Sequence, residues 1–283
     1  MKLVSYVSTV PDLRAKVCEW RQNGETVALL PTMGALHAGH LSLAKQGKQK
    51  CNRLVTSIFV NPTQFAPQED FSTYPRTFED DLQKLVGVDC DLVWAPTADA
   101  MYPDGFATMI KPEGAALGLE TDFRPHFFSG VATVCCKLFT QCGPDIALFG
   151  EKDYQQLCVV RQMVRDLDLP LEIMGCETVR EADGLAMSSR NAYLSESERQ
   201  IATSMHRILT DVSKAFRTDN SNPDKLCENA SSSLLEAGFE SVDYLAIRDA
   251  ETLAPIEAGS RRPSRILAAA WLGETRLIDN IAA

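Results

Sequence analysis

The sequence predicts a doubly wound α/β domain with a parallel sheet, followed by a smaller α+β domain. In the first 183 residues, short apolar runs alternate with longer segments whose apolar residues have helical spacing. Runs that are apolar throughout are typical of parallel strands covered on both faces. The pattern changes near Asp183-Gly184, which we interpret as a hinge, so we expect domains at residues 1–183 and 184–283.

The first domain is predicted to alternate strands and helices in a Rossmann-like order. The predicted strands cover residues 27–30, 53–60, 91–94, 145–149 and 171–174, and the predicted helices cover 11–23, a segment that begins near Leu36, 78–86, 131–139 and 154–167. Gly24 and Gly87 are typical helix ends, and Thr77 with Asp80 forms a capping-box pattern. Ligands of such sheets bind beyond the carboxyl ends of the strands, so the loops PTMG, NPTQF and FGEKD are expected to meet in one crevice.

The second domain is predicted to contain two helices and three short strands. Ser195 and Glu198 form a capping box before a long helix that reaches Phe216, and another helix spans 223–236. The strands cover residues 242–248, 265–272 and 275–278, and the last two are joined at Gly273-Glu274 like a hairpin.

Composition excludes several classes of protein. The chain has 28 basic and 38 acidic residues and a net charge of -10, which argues against a nucleic-acid or anionic-membrane surface. Nine cysteines without CxxC spacing do not form a disulfide framework and favour a reducing cytosol. Neither a signal peptide nor an apolar run of about 20 residues is present, so we expect a cytoplasmic protein.

The segment VALLPTMGALHAGH presents His37 and His40 three residues apart after a strand and a glycine turn. On a helix that begins near Leu36, both imidazoles would share one face beside the helix N-terminus, which favours a polyphosphate. A solvated helix face is the ordinary alternative. Zinc is a weaker one, because no third ligand is evident nearby.

Other loops carry residues suited to phosphates and small acids. Lys152 and its neighbours in GEKD can reach a phosphate and a ribose hydroxyl, although such a loop is also a common solvated turn. The tetrapeptide 187–190 offers two hydroxyls and a guanidinium, or else a capping turn with a surface arginine. Asn61 and Gln64 flank Pro62 and suit a small polar organic acid. Gln155 and Gln156 open the following helix, and one of them is expected to face the crevice.

These blocks together resemble the pantothenate synthetase (pantoate–β-alanine ligase) family of the HxGH nucleotidyltransferase superfamily. The resemblance runs nearly end to end, through PTMGALHAGH, SIFVNPTQF, YPRTFEDD, DIALFGEKDYQQL, READGLAMSSRNAYLS and AAWLGETRLIDN. It implies an ATP-dependent ligase that condenses pantoate with β-alanine through a pantoyl adenylate, with Mg²⁺ on the phosphates and a homodimeric assembly. It implies no membrane or nucleic-acid partner.

The resemblance also implies roles for individual positions. His40 is given the proton-donor role, with His37, Lys152 and Arg190 as the other catalytic positions. Substrate positions are Asn61, Gln64 and Gln156, of which Gln64 serves pantoate and β-alanine and Gln156 serves pantoate. The implied ATP positions are Met33, Gly34, Ala35, Leu36, His37, Ala38, Gly39, His40, Gly150, Glu151, Lys152, Asp153, Val179, Met187, Ser188, Ser189 and Arg190.

One position departs from the family pattern. Ser129 stands where the family commonly has arginine, in the segment RPHFFSGV. The lost cation bears on dimer contacts or substrate entry more than on chemistry.

Three alternatives remain at the level of sequence: a plain adenylyltransferase, a relative of aminoacyl-tRNA synthetases, and a nucleotide-binding protein without turnover. Catalysis is expected to need no covalent nucleophile, only positioning and electrostatics, with the small domain closing over residues 188–190 to exclude water.

Overall fold

The computed structural model describes residues 4–66, 69–219 and 222–283. These residues group into two compact units. One unit contains the described residues up to Pro112 together with Arg124–Gly150 and Val159–Cys176. The other contains Glu113–Phe123, Glu151–Cys158 and the described part of Glu177–Ala283. The boundary predicted at Asp183-Gly184 stays a prediction, and the preceding residues from Glu177 group with the second unit.

The first unit is built on a parallel sheet, as predicted. Its strands in the described residues are β1 (Tyr6–Val7), β2 (Val27–Thr32), β3 (Arg53–Ile58), β4 (Leu92–Trp94), β5 (Ile146–Gly150) and β6 (Glu172–Cys176). The strand order is β1-β4-β3-β2-β5-β6, and every neighbouring pair is parallel. From β2 the chain continues to β3 and β4 on one side, and β5 and β6 then lie on the other side. The strand order therefore switches between β2 and β5, and ligands of doubly wound sheets bind at such a switch point. Strand β1 was not predicted, because a two-residue strand has no detectable periodicity.

The helices flank this sheet or belong to the second unit. Their bounds are α1 (Val10–Gln22), α2 (Ala38–Lys50), α3 (Phe78–Val86), α4 (Ala98–Met101), α5 (Glu120–Phe123), α6 (Phe127–Cys142), α7 (Tyr154–Asp166), α8 (Glu196–Asp219) and α9 (Pro223–Ala237). α2 lies very close to the sheet, because a Cβ on Gly47 would meet Leu148 Cδ1 at 2.8 Å. The capping box predicted at Thr77 and Asp80 is wrong: the Thr77 side chain, which the structure describes, makes no capping hydrogen bond to α3.

The second unit contains an antiparallel sheet of β7 (Ser241–Asp249), β8 (Ser264–Leu272) and β9 (Thr275–Ala282) in that order. The predicted hairpin between the last two strands is confirmed. Helices α8 and α9 bury their apolar faces on this sheet, around Met205, Leu209 and Leu234. The capping box at the start of α8 is also confirmed, since Ser195 N donates to Glu198 Oε2 at 2.8 Å and Glu198 N donates to Ser195 Oγ at 3.3 Å.

Candidate active site

The loop between β2 and α2 has an unusual backbone. Gly34 and Ala35 are both left-handed, with φ of 85° and 50°. A Cβ on Gly34 would lie 3.2 Å from both Asp81 Oδ2 and Ile58 Cγ2, so glycine suits the conformation and the space. For Ala35 this backbone costs about 1–2 kcal/mol. Other interactions of the loop must offset that cost.

A buried carboxylate provides those interactions. Ala35 N donates to Asp81 Oδ2 at 2.9 Å, and Leu36 N donates to Asp81 Oδ1 at 2.8 Å. Asp81 is 1% exposed, and burial raises the pKa of its carboxyl, while the N–H groups of Leu36 and Ala35 act in the opposite direction. Lys84 Nζ donates to the carbonyl of Leu36 at 2.8 Å. Two side chains of α3 therefore fix the loop, and neither of them was predicted from the sequence.

The two histidines lie together at the start of α2. The helix begins at Ala38, two residues after Leu36, and His37 is its N-cap. His37 Nδ1 accepts from Gly39 N at 3.2 Å, and His40 Nδ1 accepts from His37 N at 3.4 Å. The ring centroids are 4.1 Å apart. An Nδ1 that accepts carries no hydrogen, so a neutral ring in this arrangement has its hydrogen on Nε2.

Two buried amides follow β3, at the position predicted for an acid pocket. Both Nδ2 hydrogens of Asn61 have acceptors, Gln64 Oε1 at 3.2 Å and the carbonyl of Gly130 at 3.2 Å. Asn61 Oδ1 accepts from Tyr102 Oη at 2.8 Å. Gln64 Nε2 donates to Met33 Sδ, a weak acceptor, at 3.0 Å. This hydrogen bond connects Asn61 and Gln64, the amide pair, to residues 33–37 between β2 and α2, the histidine loop. Asn61 is therefore committed to the protein, whereas Gln64 retains hydrogen-bonding capacity for a substrate.

Helix α6 approaches these amides at Gly130. A Cβ there would lie 2.4 Å from the carbonyl oxygen of Thr63 and 2.9 Å from Gln64 Cα. Real Cβ atoms do not come this close to backbone atoms, so a side chain at this position would push the turn of residues 62–64 away. Glycine is thus required for α6 to support the amide pair.

Ser129, which stands where the family commonly has arginine, takes part in a side-chain hydrogen bond. Ser129 Oγ donates to the carbonyl of Ile110 at 2.7 Å, and Ile110 N donates to Thr133 Oγ1 at 2.9 Å. Residues 129 and 133 are one turn apart on α6, so together they hold both polar groups of Ile110. In this chain the position anchors a neighbouring segment.

In the second unit, residues Glu151–Asp153 form a single 3-10 turn at the start of α7. The carbonyls of Glu151 and Lys152 accept hydrogen bonds from Asn280 Nδ2 at 2.9 and 2.8 Å. Arg265 Nη2 pairs with Glu151 Oε2 at 3.0 Å. The turn is thus held by β8 and β9 and is not a loosely solvated loop.

The predicted adenine and phosphate positions 179 and 187–190 lie together in the same unit. Met187 N donates to the carbonyl of Val179 at 3.0 Å, which closes a short hairpin. Ser188 caps the following 3-10 turn, with its Oγ accepting from Arg190 N at 3.3 Å. This is the capping turn considered as an alternative, and it leaves the Arg190 side chain half-buried.

Of the two glutamines at the start of α7, Gln155 has a structural role. It is 5% exposed, and its Nε2 donates to the carbonyls of Ala115 and Gly118 at 3.1 and 3.2 Å. Gln156 is half-buried, and its role as a pantoate contact stays a prediction.

Residues 4–66, 69–219 and 222–283 contain neither a candidate metal-binding cluster nor a helix able to cross a membrane. No group of three or more His, Cys, Asp or Glu in these ranges is arranged to hold a metal ion. Likewise, no helix of the described chain has the length and apolar character needed to cross a bilayer.

Comparison with known proteins identifies the family. The family model described as pantoate-beta-alanine ligase matches residues 5–282. The pantothenate synthetase of Bradyrhizobium sp. (strain BTAi1) is 57% identical over 271 residues, which is 95% of each chain. That of Mesorhizobium japonicum is 56% identical over 275 residues, covering 97% of this chain and 96% of the relative.

Solved structures agree with the sequence comparison. The pantothenate synthetase of Thermus thermophilus superposes with a TM-score of 0.91 at 43% identity and covers 98% of this chain and 99% of its own. The pantoate-beta-alanine ligase of Francisella tularensis has a TM-score of 0.82 at 33% identity, over 99% of this chain and 97% of its own. Matches of this extent decide against a plain adenylyltransferase or a tRNA synthetase relative. The chain therefore belongs to the pantoate–β-alanine ligase family.

Proposed function

We propose that this enzyme, an ATP-dependent pantoate–β-alanine ligase by family, forms pantothenate in two steps through pantoyl adenylate. A carboxylate is a poor acylating group, so its oxygen must first become part of a leaving group. The pantoate carboxylate attacks the α-phosphorus of ATP in line and pyrophosphate departs. The amine of β-alanine then attacks the acyl carbon, AMP departs with the acyl oxygen, and the amine loses a proton.

The proposal is supported mainly by the position of the two histidines at the start of α2. The imidazoles of His37 and His40 are proposed to donate to phosphate oxygens at the N-terminus of α2, where the positive end of the helix dipole favours anions. Donors fixed in advance stabilise charge as it develops, without reorganisation during the reaction. His37 and His40 are proposed to act in this way on ATP, with Met33 to Leu36 lining its site.

The acid site is proposed to be formed by the amide pair. Gln64 donates to pantoate and β-alanine, while Asn61 holds Gln64 in place through the hydrogen bond between their side chains. Neutral amides bind a carboxylate without changing its charge, so the carboxylate remains nucleophilic toward phosphorus. Gln156 is proposed to contact pantoate as well.

Two cations and a hydroxyl are also proposed to act on the phosphates. Lys152, Ser188 and Arg190 are the groups that stabilise the departing pyrophosphate, because ammonium, hydroxyl and guanidinium groups all donate to phosphate oxygens. Val179 is proposed at the adenine. The Francisella relative was solved in complex with beta-gamma ATP and β-alanine, which supports ATP and β-alanine as ligands of this chain.

No covalent nucleophile is proposed. Both nucleophiles belong to the substrates. Burial raises the pKa of Cys135 and of Cys142 to about 12, so neither of these thiols suits the role.

Magnesium is proposed to arrive with ATP on its phosphates. Mg²⁺ keeps several waters and needs few protein ligands, so phosphate oxygens can supply much of its coordination. A homodimer and a cytoplasmic location are likewise proposals, supported by the family resemblance and, for the location, by the cysteine pattern.

Pantoate-dependent exchange of pyrophosphate into ATP tests the first step. We expect His40→Ala and Lys152→Ala each to lower the exchange rate by about 10² or more, the scale for removing one fixed charge donor. Gln64→Ala should instead raise the KM for pantoate and leave ATP binding intact. Lys45→Ala is the matched control, because Lys45 is exposed on the same helix as His40. Exchange that does not depend on pantoate, or near-normal rates in both the His40 and Lys152 variants, would refute the proposal.

A further inference from the structure

Asn280, near the end of β9, makes an unusually complete set of hydrogen bonds. Its two Nδ2 hydrogens go to the carbonyls of Glu151 and Lys152 at 2.9 and 2.8 Å, and its Oδ1 accepts from Arg265 Nε at 2.6 Å. The residue is 3% exposed. A strand asparagine that uses every polar atom of its side chain on one turn and that turn's partner is suited to holding backbone in place.

Arg265 extends this support to the ends of the turn. Its guanidinium pairs with Glu151 Oε2 at 3.0 Å and lies 4.1 Å above the ring of Tyr154. Tyr154 Oη donates in turn to the carbonyl of Ala250 at 2.8 Å. The residues on both sides of Lys152 are thus fixed to the antiparallel sheet through Arg265, and Lys152 itself is fixed through Asn280.

The neighbouring residue Asp279 supports the hairpin that leads to residues 187–190, the other predicted nucleotide segment of this unit. Its carboxylate accepts from Arg180 Nη1 and Nη2 at 2.7 and 2.8 Å, and Arg180 Nη1 also donates to the carbonyl of Gly184 at 3.0 Å. Arg180 and Gly184 lie in the hairpin that leads to Met187. Successive strand residues point to opposite faces, so adjacent positions of β9 can hold two different segments.

We propose that Asn280 is a positioning residue for Lys152 in the adenylation step, acting through the carbonyls of Glu151 and Lys152. This inference rests on the proposed function of Lys152 at the pyrophosphate. A single 3-10 turn has strained hydrogen bonds and depends on outside contacts for its shape. When the turn relaxes, the ammonium group at the end of a flexible four-carbon side chain moves with it, and an error of about 1 Å in placing such a group costs about 10² in rate.

The test is pyrophosphate exchange by the full chain carrying Asn280→Asp. This variant keeps the volume of the side chain and the oxygen that accepts from Arg265, but it turns an oxygen toward two carbonyls. We expect kcat for pantoate-dependent exchange to fall about 10- to 100-fold, with a much smaller change in the KM for ATP, because the lysine acts on charge that develops in the transition state.

A double-mutant cycle with Lys152→Ala separates positioning from a general structural effect. If Asn280 acts through Lys152, then Asn280→Asp should change the rate less than about twofold in the Lys152→Ala background. An equal loss in both backgrounds overturns the role of Asn280 and leaves that of Lys152 standing. Normal exchange by Lys152→Ala alone overturns the proposed role of Lys152 and this inference with it, and leaves the proposed function to be decided by His40→Ala.

Ser213→Ala is the matched control for stability. Ser213 is buried on α8, and its Oγ donates to the carbonyl of Ala282, a residue of β9, at 3.1 Å. It should lower Tm without lowering kcat. If Asn280→Asp does not fold, Asn280→Ala takes its place in the cycle. A folded Asn280 variant with wild-type kcat contradicts the proposal.

Discussion

Asp81→Asn removes one hydrogen-bond acceptor from beneath the histidine loop with almost no change in volume. One carboxylate oxygen becomes an NH2 group that faces the N–H of Ala35 or Leu36, now bonded at 2.9 and 2.8 Å. An unsatisfied buried N–H costs about 1–3 kcal/mol. Loss of a buried charge offsets part of this cost, so the free energy of unfolding should fall by about 1–2 kcal/mol.

The kinetic effect should be larger than the loss of stability suggests. Leu36 immediately precedes His37, and the left-handed Ala35 has no other carboxylate among its described partners. A loop that relaxes there displaces both Nε2–H donors, so pyrophosphate exchange should slow by about 10². Urea unfolding and exchange kinetics measure the two effects on the same protein.

Asp80→Asn is the matched control for Asp81→Asn. The Asp80 side chain is 58% exposed and pairs with Lys84 at 2.6 Å, and an exposed pair of this kind contributes about 0–1 kcal/mol. This variant should keep near-normal stability and exchange. If Asp81→Asn and Asp80→Asn behave alike in both assays, the buried carboxylate does not organise the loop.

Two glycines give further predictions. Gly130→Ala places a Cβ 2.4 Å from the carbonyl of Thr63, so it should raise the KM for pantoate in steady-state assays; an unchanged KM would mean that the turn is not displaced. Gly184→Ala combines a φ of 93° with a Cβ 2.9 Å from His206 Cδ2, so it should lower the free energy of unfolding by about 1–3 kcal/mol. Gly24→Ala, with a φ of 73° and nothing within 4 Å, should lose less; equal losses would show that His206 contributes nothing.

Most strands and helices were predicted from local sequence patterns. Apolar runs such as 27–30 and 145–149 mark strands because both faces are buried, and the Ser195-Glu198 capping box marks a helix start because its hydrogen bonds span three residues. The start of α2 was predicted only to within two residues, also for a local reason. Its cap is a histidine, and ordinary N-cap preferences favour serine, threonine, aspartate and asparagine.

The support of the candidate site was not predictable in this way. Asp81 lies 46 residues from Ala35, and Asn280 lies 128 residues from Lys152. Motifs indicate which residue types meet a ligand, but they do not show which distant side chain holds their backbone. The amide pair illustrates the same limit: Asn61 and Gln64 look alike in sequence, and only the hydrogen bonds of Asn61 to Gly130 and Tyr102 distinguish a supporting role from a binding one.

The pH dependence of exchange offers a separate test of Asp81. Burial raises the pKa of its carboxyl in the folded protein above the unfolded value of about 3.9. Protonation of this group therefore favours the folded state: its contribution to stability is fully present below the unfolded pKa and is lost as pH rises through the folded pKa.

Protonation also turns an acceptor oxygen of Asp81 into an O–H group and weakens its hydrogen bond to Leu36 or Ala35. The rate of pyrophosphate exchange should therefore fall as pH is lowered through the folded pKa, although protonation of this group stabilises the folded protein over the same range. Asp81→Asn already lacks the acceptor, so the ratio of wild-type to variant rates should decline toward 1 as pH falls, while other titrating groups cancel. A ratio that stays constant with pH, with both proteins folded by circular dichroism, would show that the ionised carboxylate is not what holds the loop.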